Sequence, residues 1–135
     1  MDFDGATSGK GAGAGISIRP PISEPKLLSY KLEFKCTNNV AEYEALILGL
    51  KASKDLQAQR IDIKGDSKHV IRQVQGSYQA KHPRQKSYKN LVLDLMEGFK
   101  ECQYTFIPRS ENSEADTLAV AASILQILEH PKEHF

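Results

Sequence analysis

The first third of the chain alternates hydrophobic and polar positions in short runs, a pattern that predicts β-strands. Three such runs lie within residues 1–6, 9–18 and 27–34. The tract RPPISEP at 19–25 separates the second run from the third, and its prolines exclude it from a central strand. The chain is therefore expected to open with three antiparallel strands in a meander.

From residue 38 onward the apolar spacing changes to that of helices interrupted by short strands. The first helix is expected to run to about Leu56, with Asn38 or Asn39 as its N-cap. Strand, helix, helix, strand and helix are then predicted at residues 60–65, 67–76, 83–102, 103–108 and 110–130. The resulting order βββαβααβα predicts an α/β fold in which helices pack on a mixed sheet.

The composition is that of a soluble globular domain, with 40% hydrophobic and 26% charged residues in 135. No segment approaches the ~20 apolar residues of a membrane helix, and no N-terminal secretory signal is visible. Cys36 and Cys102 match no metal-site spacing and are predicted to be reduced packing residues. We expect an intracellular monomer, cytoplasmic or nuclear, with one domain at 1–128 and a tail at 129–135.

Positive charge is concentrated in the middle of the chain. Residues 60–90 contain eight Lys or Arg residues and two Asp or Glu residues. Residues 91–135 contain three Lys or Arg residues and eight Asp or Glu residues. Clustered positive charge in a near-neutral protein is typical of a surface that binds a polyanion such as nucleic acid. A solvated helix face is the alternative explanation for the same residues.

The glycine-rich segment GKGAGAG at 9–15 invites comparison with phosphate-binding loops. It lacks the GK[ST] of a Walker A loop, and it leads into a strand instead of opening a helix. We therefore interpret it as a hairpin turn that uses the backbone freedom of glycine.

The first predicted helix contains two glutamates that cannot share a face. On a helical wheel Glu44 falls with Lys51 and Lys54 on the solvent side, whereas Glu42 falls among apolar residues facing the sheet. A carboxylate facing a core is costly unless it is paired, protonated or bound to metal. A local cap contact at the helix start is the alternative explanation for Glu42.

Three aspartates occupy comparable positions. Asp4 lies on the first strand, Asp66 follows the fourth strand, and Asp116 lies in the first turn of the last helix. Each alone is explained by a turn or a cap, but with Glu42 they predict a carboxylate cluster whose repulsion a cation must neutralise. Hard oxygen ligands without a His or Cys cluster favour Mg²⁺ or Mn²⁺.

Four sequence blocks carry a family resemblance: DGA at 4–6, TNNVAEYEAL at 37–46, GDSKHVIRQV at 65–74 and ENSEADTLA at 111–119. In this order they resemble the signature blocks of type 1 ribonuclease H. The domain of plant gypsy-class LTR retrotransposon polyproteins is the most similar, and archaeal-type cellular enzymes are also similar. The resemblance covers residues 1 to about 128.

The resemblance implies the ribonuclease H-like fold, a five-stranded mixed sheet whose first three strands are antiparallel. It implies an endonuclease that hydrolyses the RNA strand of RNA/DNA hybrids and leaves 5′-phosphate and 3′-hydroxyl ends. It also implies that Asp4, Glu42, Asp66 and Asp116 are catalytic and hold two Mg²⁺ ions, with Mn²⁺ as a substitute. Reverse transcriptase and integrase domains are implied as neighbours in a parent polyprotein.

The resemblance further implies a set of positions that contact the hybrid. These are Gly5, Asn38, Asn39, Lys68, Arg72, Arg109 and Asn112. Helix capping is the alternative role for the asparagines. The loop PRSEN lacks the histidine that many family members carry, and its Arg109 cannot act as a base at neutral pH. A non-catalytic or very slow nucleic-acid-binding module is therefore the alternative function.

Overall fold

The structure, a computed structural model, describes residues 1–21, 23–34, 36–76 and 83–125. Its strands are β1 (Asp2–Ser8), β2 (Gly11–Ile18), β3 (Lys26–Leu32), β4 (Arg60–Gly65) and β5 (Glu101–Phe106). Its α-helices are α1 (Asn38–Asp55), α2 (Lys68–Gln75), α3 (Pro83–Met96) and α4 (Ser113–Ile124), with a short 3₁₀ turn at Arg109–Glu111 before α4. The predicted order βββαβααβα is confirmed.

The five strands form one mixed sheet in the order β3-β2-β1-β4-β5. The pairs β1–β2 and β2–β3 are antiparallel, as predicted, and β4 pairs in parallel with both β1 and β5. The β1–β4 pairing consists of Asp2 with Lys64 alone, whereas β4 and β5 pair along their whole length. The sheet is therefore open between β1 and β4 beyond this first pair.

Glycines let a helix approach each face of the sheet at backbone distance. A Cβ at Gly5 would collide with the Ala41 backbone of α1, and a Cβ at Gly15 would lie 2.6 Å from the Ala119 backbone nitrogen of α4. Gly5 pairs with Ala14, the neighbour of Gly15, so the two glycines face opposite sides. Helices α1 and α4 therefore pack on opposite faces of the sheet.

The segment GKGAGAG is only in part the turn that the sequence predicts. Gly9 and Lys10 form the turn, but residues 11–15 belong to β2. Gly13, like Gly15, faces α4, where a Cβ would lie 2.6 Å from the Ser123 backbone nitrogen. These glycines serve close packing, and only Gly11, with φ of +140°, has a conformation that favours glycine.

The helix caps differ in part from those predicted. Thr37, not Asn38 or Asn39, caps α1, because its hydroxyl accepts from the Val40 N–H at 3.3 Å. Ser67 caps α2 as predicted, by accepting from the Val70 N–H. In α1 and α2, a hydroxyl on the residue directly before the helix thus accepts from one of the free N–H groups at the helix start.

The C-terminal ends of two helices were predicted too late. Helix α3 ends at Met96, not near residue 102, because the chain turns through Gly98 into β5, which begins two residues before its predicted start. Helix α4 ends at Ile124 because Leu125 has an extended backbone, and both side chains are more than half exposed. Residues 126–135, which include the rest of the predicted helix and the tail, lie outside the described residues.

Three further features complete the fold. The core between sheet and helices consists of buried aliphatic and aromatic side chains, the largest being Tyr43, Phe3, Ile16, Leu46, Leu50 and Ile63.

Cys36 and Cys102 are free thiols, half-buried, and burial raises the pKa of each. Among the described helices, none has both the length and the apolar character to cross a membrane.

Candidate metal and nucleic-acid site

The register of β1 and β4 places Asp4 and Asp66 at the same level of the sheet. The strands run parallel from the Asp2–Lys64 pair, and each aspartate follows its member of that pair by two residues. Asp4 is buried and Asp66 is half-buried.

Helix α1 adds the third carboxylate from its first turns. Glu42 is 9% exposed, as its sheet-facing position predicts, and the packing of Ala41 on Gly5 brings it next to β1. Oxygens of Asp4, Glu42 and Asp66 all lie within 4.8 Å of one another. This is the only group of three or more potential metal-binding His, Cys, Asp or Glu side chains among the described residues.

Glu44 is not the plain surface residue that the helical wheel suggests. It is half-buried and accepts a hydrogen bond from the Tyr88 hydroxyl of α3 at 2.7 Å. The Tyr88 ring stacks on Tyr43, with ring centroids 5.5 Å apart. Glu44 therefore joins α1 to α3 through a hydrogen bond and is not a member of the carboxylate cluster.

Burial makes two of the clustered carboxylates, Asp4 and Glu42, hard to ionise. Burial is the largest cause of a pKa of about 10 for Asp4, and the charge and hydrogen bond of Glu42 and a hydrogen bond with Asp116 contribute to the same shift. Burial also raises the pKa of Glu42 to about 7, although hydrogen bonds from Asp4 and the Gly5 backbone oppose the shift. Without a cation, the cluster therefore retains protons that free carboxyl groups would have lost.

Asp116, the fourth predicted member, lies beside the cluster but outside the group of three. It is placed in the first turn of α4, near enough to raise the pKa of Asp4. Its Oδ1 lies 3.4 Å from Nη2 of Arg109, in the loop before α4. The exposed guanidinium thus faces the carboxylate that the family resemblance assigns to the metal site.

The positions expected to contact a hybrid fall into two groups around the cluster. At the start of α1, Asn38 is exposed and its Oδ1 accepts from the Thr7 hydroxyl of β1, while Asn39 is half-buried. On α2, Lys68 and Arg72 are exposed. Gly5 is buried under α1, where its missing side chain is what the packing requires.

Lys68 is held by a residue that the sequence analysis did not single out. Its ammonium group lies 5.3 Å from the ring centroid of Phe106, which is 40% exposed at the end of β5. Phe106 pairs with Gly65, the residue before Asp66, and so lies at the rim of the carboxylate cluster. The sequence signal was available: an aromatic residue at the carboxyl end of a strand next to the Asp66 block.

Asn112 does not lie on this surface. It is 1% exposed, and its Nδ2 group donates to the Phe3 carbonyl oxygen at 3.0 Å. It occupies the N-cap position of α4, but its side chain makes no cap hydrogen bond. The side chain of Asn112 therefore contacts the backbone of β1, whereas the sequence analysis expected it to contact the substrate or to cap a helix.

Comparison with known proteins agrees with this geometry. Residues 2–122 match the protein family described as "Reverse transcriptase-like". The chain belongs to that family. Its fold is the ribonuclease H-like fold, as the structural comparisons below show.

The RNase H1 crystal structure from the halophilic archaeon Halobacterium salinarum superposes on this ribonuclease H-like domain with a TM-score of 0.82. It shares 31% sequence identity, over 90% of this chain and 93% of that one. The structure of LC11-RNase H1 in complex with an RNA/DNA hybrid gives a TM-score of 0.79 at 28% identity, over 89% and 92% of the two chains.

Among curated proteins, Ribonuclease HI of Halobacterium salinarum is 36% identical over 85 residues, which is 63% of this chain and 43% of that protein. YpeP of Bacillus subtilis, an uncharacterised protein, is 35% identical over 127 residues, or 87% of this chain and 55% of that protein. The ribonuclease H-like domain thus spans only about half the length of these curated relatives. These relatives do not show an origin in a plant retrotransposon.

Proposed function

We propose that the domain hydrolyses the RNA strand of RNA/DNA hybrids in a reaction that depends on a divalent cation. The observation that carries the proposal is the meeting of Asp4, Glu42 and Asp66 within 4.8 Å at an open edge between β1 and β4. The similarity to RNase H1 structures, one of them in complex with an RNA/DNA hybrid, supports this substrate class.

The donor set fits a hard divalent cation. All three side chains offer carboxylate oxygens, and Oε2 of Glu42 is buried without a hydrogen-bond donor among the described residues. A cation would give that oxygen a partner and would lower the pKa of Asp4. Oxygen-only ligands favour Mg²⁺, with Mn²⁺ as a substitute.

We assign the four carboxylates a shared role in binding two such ions. Asp4, Glu42 and Asp66 form the preassembled part of the site, and Asp116 completes it when its carboxylate exchanges Arg109 for a cation. Two ions held by these carboxylates would supply activation of a water molecule and stabilisation of the leaving oxygen of a phosphodiester. Arg109, once released, is placed to bind a phosphate of the substrate.

The surrounding residues suit a double-stranded substrate. Asn38, with its amide oriented by Thr7, and its neighbour Asn39 present hydrogen-bonding groups for the minor groove, where 2′-hydroxyl groups distinguish RNA from DNA. Lys68 and Arg72 lie exposed on the other side of the cluster, on α2, where they would bind backbone phosphates. The buried backbone of Gly5 contributes through packing.

A cleavage assay with four labelled substrates tests the proposal. The protein is incubated with an RNA/DNA hybrid and with matching double-stranded RNA, single-stranded RNA and double-stranded DNA, in Mg²⁺ or Mn²⁺. Asp66→Asn and a chelator serve as negative controls, and Asp94→Asn, on an exposed position of α3, serves as the matched carboxylate control. We expect metal-dependent cutting of the hybrid's RNA strand alone, lost in Asp66→Asn and kept in Asp94→Asn.

The same assay judges the alternative of a non-catalytic binding module. That alternative is not favoured, because the three clustered carboxylates are intact and the similar proteins include ribonucleases. Hybrid that is bound but uncut in either metal would reverse this judgement. Cleavage of double-stranded DNA at a comparable rate would contradict the proposed substrate class.

We further propose that the domain derives from a retroelement polyprotein with reverse transcriptase and integrase domains beside it. The family description "Reverse transcriptase-like" and the sequence blocks support this origin. Sequencing of the native transcript is expected to reveal coding sequence for both domains in frame with this one. A reading frame flanked by unrelated sequence would contradict the proposal.

A further inference from the structure

Asn112 is a buried polar residue that connects two separate parts of the fold. It is 1% exposed, and its Nδ2 group reaches across to β1, where it donates to the carbonyl oxygen of Phe3 at 3.0 Å. Phe3 directly precedes Asp4. The hydrogen bond therefore fixes the backbone from which one clustered carboxylate projects.

The backbone of Asn112 acts on a second carboxylate. Its carbonyl oxygen accepts from the Asp116 N–H at 3.0 Å, the first hydrogen bond of α4. One residue thus holds the strand next to Asp4 with its side chain and the first turn around Asp116 with its main chain.

The same geometry argues against direct contact with a substrate. A side chain that is 99% buried beneath β1 and α4 offers no surface to a nucleic acid. Its Oδ1 is also buried, with no donor among the described residues. A buried acceptor left unpaired is unfavourable, so overall stability is a poor explanation for an amide at this position.

We infer that Asn112 is a positioning residue that sets the distance between Asp4 and Asp116 and thereby the affinity of the site for divalent cations. The inference rests on the proposed function for the role of the cluster, but not on hybrid cleavage. Residues that orient metal ligands without touching the metal typically change metal affinity by about 10–100-fold when replaced.

Calorimetric titration with Mg²⁺, and separately with Mn²⁺, tests the inference on the whole chain without nucleic acid. Asn112→Leu keeps the size of the side chain and removes the donor, and Asn90→Leu, at an exposed position of α3, is the matched control. We expect the dissociation constant to rise about 10-fold or more in Asn112→Leu. Asn90→Leu should match the unmodified protein.

Hybrid binding in a chelator, measured by fluorescence anisotropy, distinguishes positioning from substrate contact. We expect Asn112→Leu to bind hybrid as the unmodified protein does when no cation is present. Unchanged cation affinity together with weakened hybrid binding would overturn the inference and restore the role of Asn112 as a substrate contact.

Loss of folding is judged separately. Thermal unfolding is recorded for each variant, and the calorimetric dissociation constant is taken from the folded fraction, whose size appears in the stoichiometry. If Asn112→Leu does not unfold cooperatively, Asn112→Ala decides, and failure of both to fold would show a purely structural role and overturn the inference. Normal cation binding without hybrid cleavage would refute the proposed activity but leave this inference standing.

Discussion

Helices α1 and α4 reach the two faces of the sheet by the same device, yet their contacts serve different ends. Each meets a strand where a glycine leaves no side chain between helix and sheet: Gly5 under α1, and Gly15 under α4. Helix α4 buries Ala115 and Ala119 at its contact. Helix α1 instead buries Glu42, beside Asp4.

The difference shows how one packing geometry yields either stability or a reactive site. Small apolar groups at the α4 contact lose nothing on burial and gain dispersion contacts. Carboxylates at the α1 contact lose hydration and repel one another, which raises the pKa values of Asp4 and Glu42. The α1 contact thus holds unfavourable free energy that a bound cation would relieve.

The largest expected effect comes from removing one carboxyl group of the α1 contact. Asp4→Asn replaces a group already inclined to be neutral, so we expect the metal-free protein to melt about 3–8 °C higher. Because the site loses a ligand to the cations, we expect hybrid cleavage to fall by about a thousandfold or more. Calorimetric melting in a chelator and initial cleavage rates measure the two effects.

Asp94→Asn on the exposed face of α3 is the control for the loss of one negative charge. It should change neither the melting temperature nor the cleavage rate appreciably. A lower melting temperature of metal-free Asp4→Asn would contradict the idea that the carboxylate cluster is held at a cost in stability.

The α4 contact should respond in the opposite sense. In Gly15→Ala the new Cβ would lie 2.6 Å from the Ala119 backbone nitrogen, and backbone cannot move aside as a flexible side chain can. We expect the free energy of unfolding to fall by about 2–3 kcal/mol, measured by urea denaturation. Gly9→Ala, with no atom within 4 Å of its new Cβ, should stay close to the unmodified protein. Equal stability of the two variants would refute the close packing of α4 on β2.

The pH dependence of stability sharpens the same contrast. The folded-state pKa values of Asp4 and Glu42 are about 10 and about 7, above the ordinary values of 3.8 and 4.5. Because the folded protein holds the protons of these two groups more tightly than the unfolded chain does, the free energy of unfolding has its full contribution from them below about pH 4. That contribution is lost as the pH rises through 7 and beyond. We expect the melting temperature of the metal-free protein to fall between about pH 5 and pH 8.

Mg²⁺ should remove most of that fall, because the cation replaces the protons that the folded cluster retains. The rise in melting temperature on adding Mg²⁺ should accordingly grow with pH. The double variant Asp4→Asn, Glu42→Gln is the control. Its melting temperature should fall less with rising pH than that of the unmodified protein and should not rise when Mg²⁺ is added. A metal-free melting temperature that increases over this range would show that the carboxylates are ionised without penalty.

Local patterns in the sequence were sufficient for most of the fold. The alternation in RIDIKG predicted β4 at its observed bounds, and the hydroxyl of Ser67 predicted the start of α2. The prediction was wrong where a choice depended on tertiary contacts. Asn38 and Thr37 are both good capping residues, and only the contact of Asn38 with Thr7 of β1 explains why Thr37 caps the helix.

The candidate site was predictable in its composition and less so in its geometry. The helical wheel identified Glu42 as a buried carboxylate, and its nearness to Asp4 and Asp66 was expected from their places at the ends of elements. The pairing of Asp116 with Arg109 depends on the path of the loop before α4. The burial of Asn112 depends on the close packing of α4, and neither feature has a periodic sequence signal.

The smallest expected effect lies at the rim of the site, where Phe106 holds Lys68. A cation–π contact at an exposed position contributes about 0.5–1 kcal/mol, so Phe106→Leu should weaken hybrid binding about two- to fivefold if it positions the ammonium for a phosphate. Lys68→Gln should weaken binding more and lower the salt dependence by about one phosphate contact. Lys100→Gln, at an exposed position that directly precedes β5, controls for the loss of one positive charge.

Fluorescence anisotropy in a chelator measures hybrid binding by all three variants and by the double variant Phe106→Leu, Lys68→Gln. Since Phe106 acts through Lys68, the loss caused by Phe106→Leu should vanish when Lys68 is already glutamine, and a fully additive loss would instead mean that the ring contacts the hybrid itself.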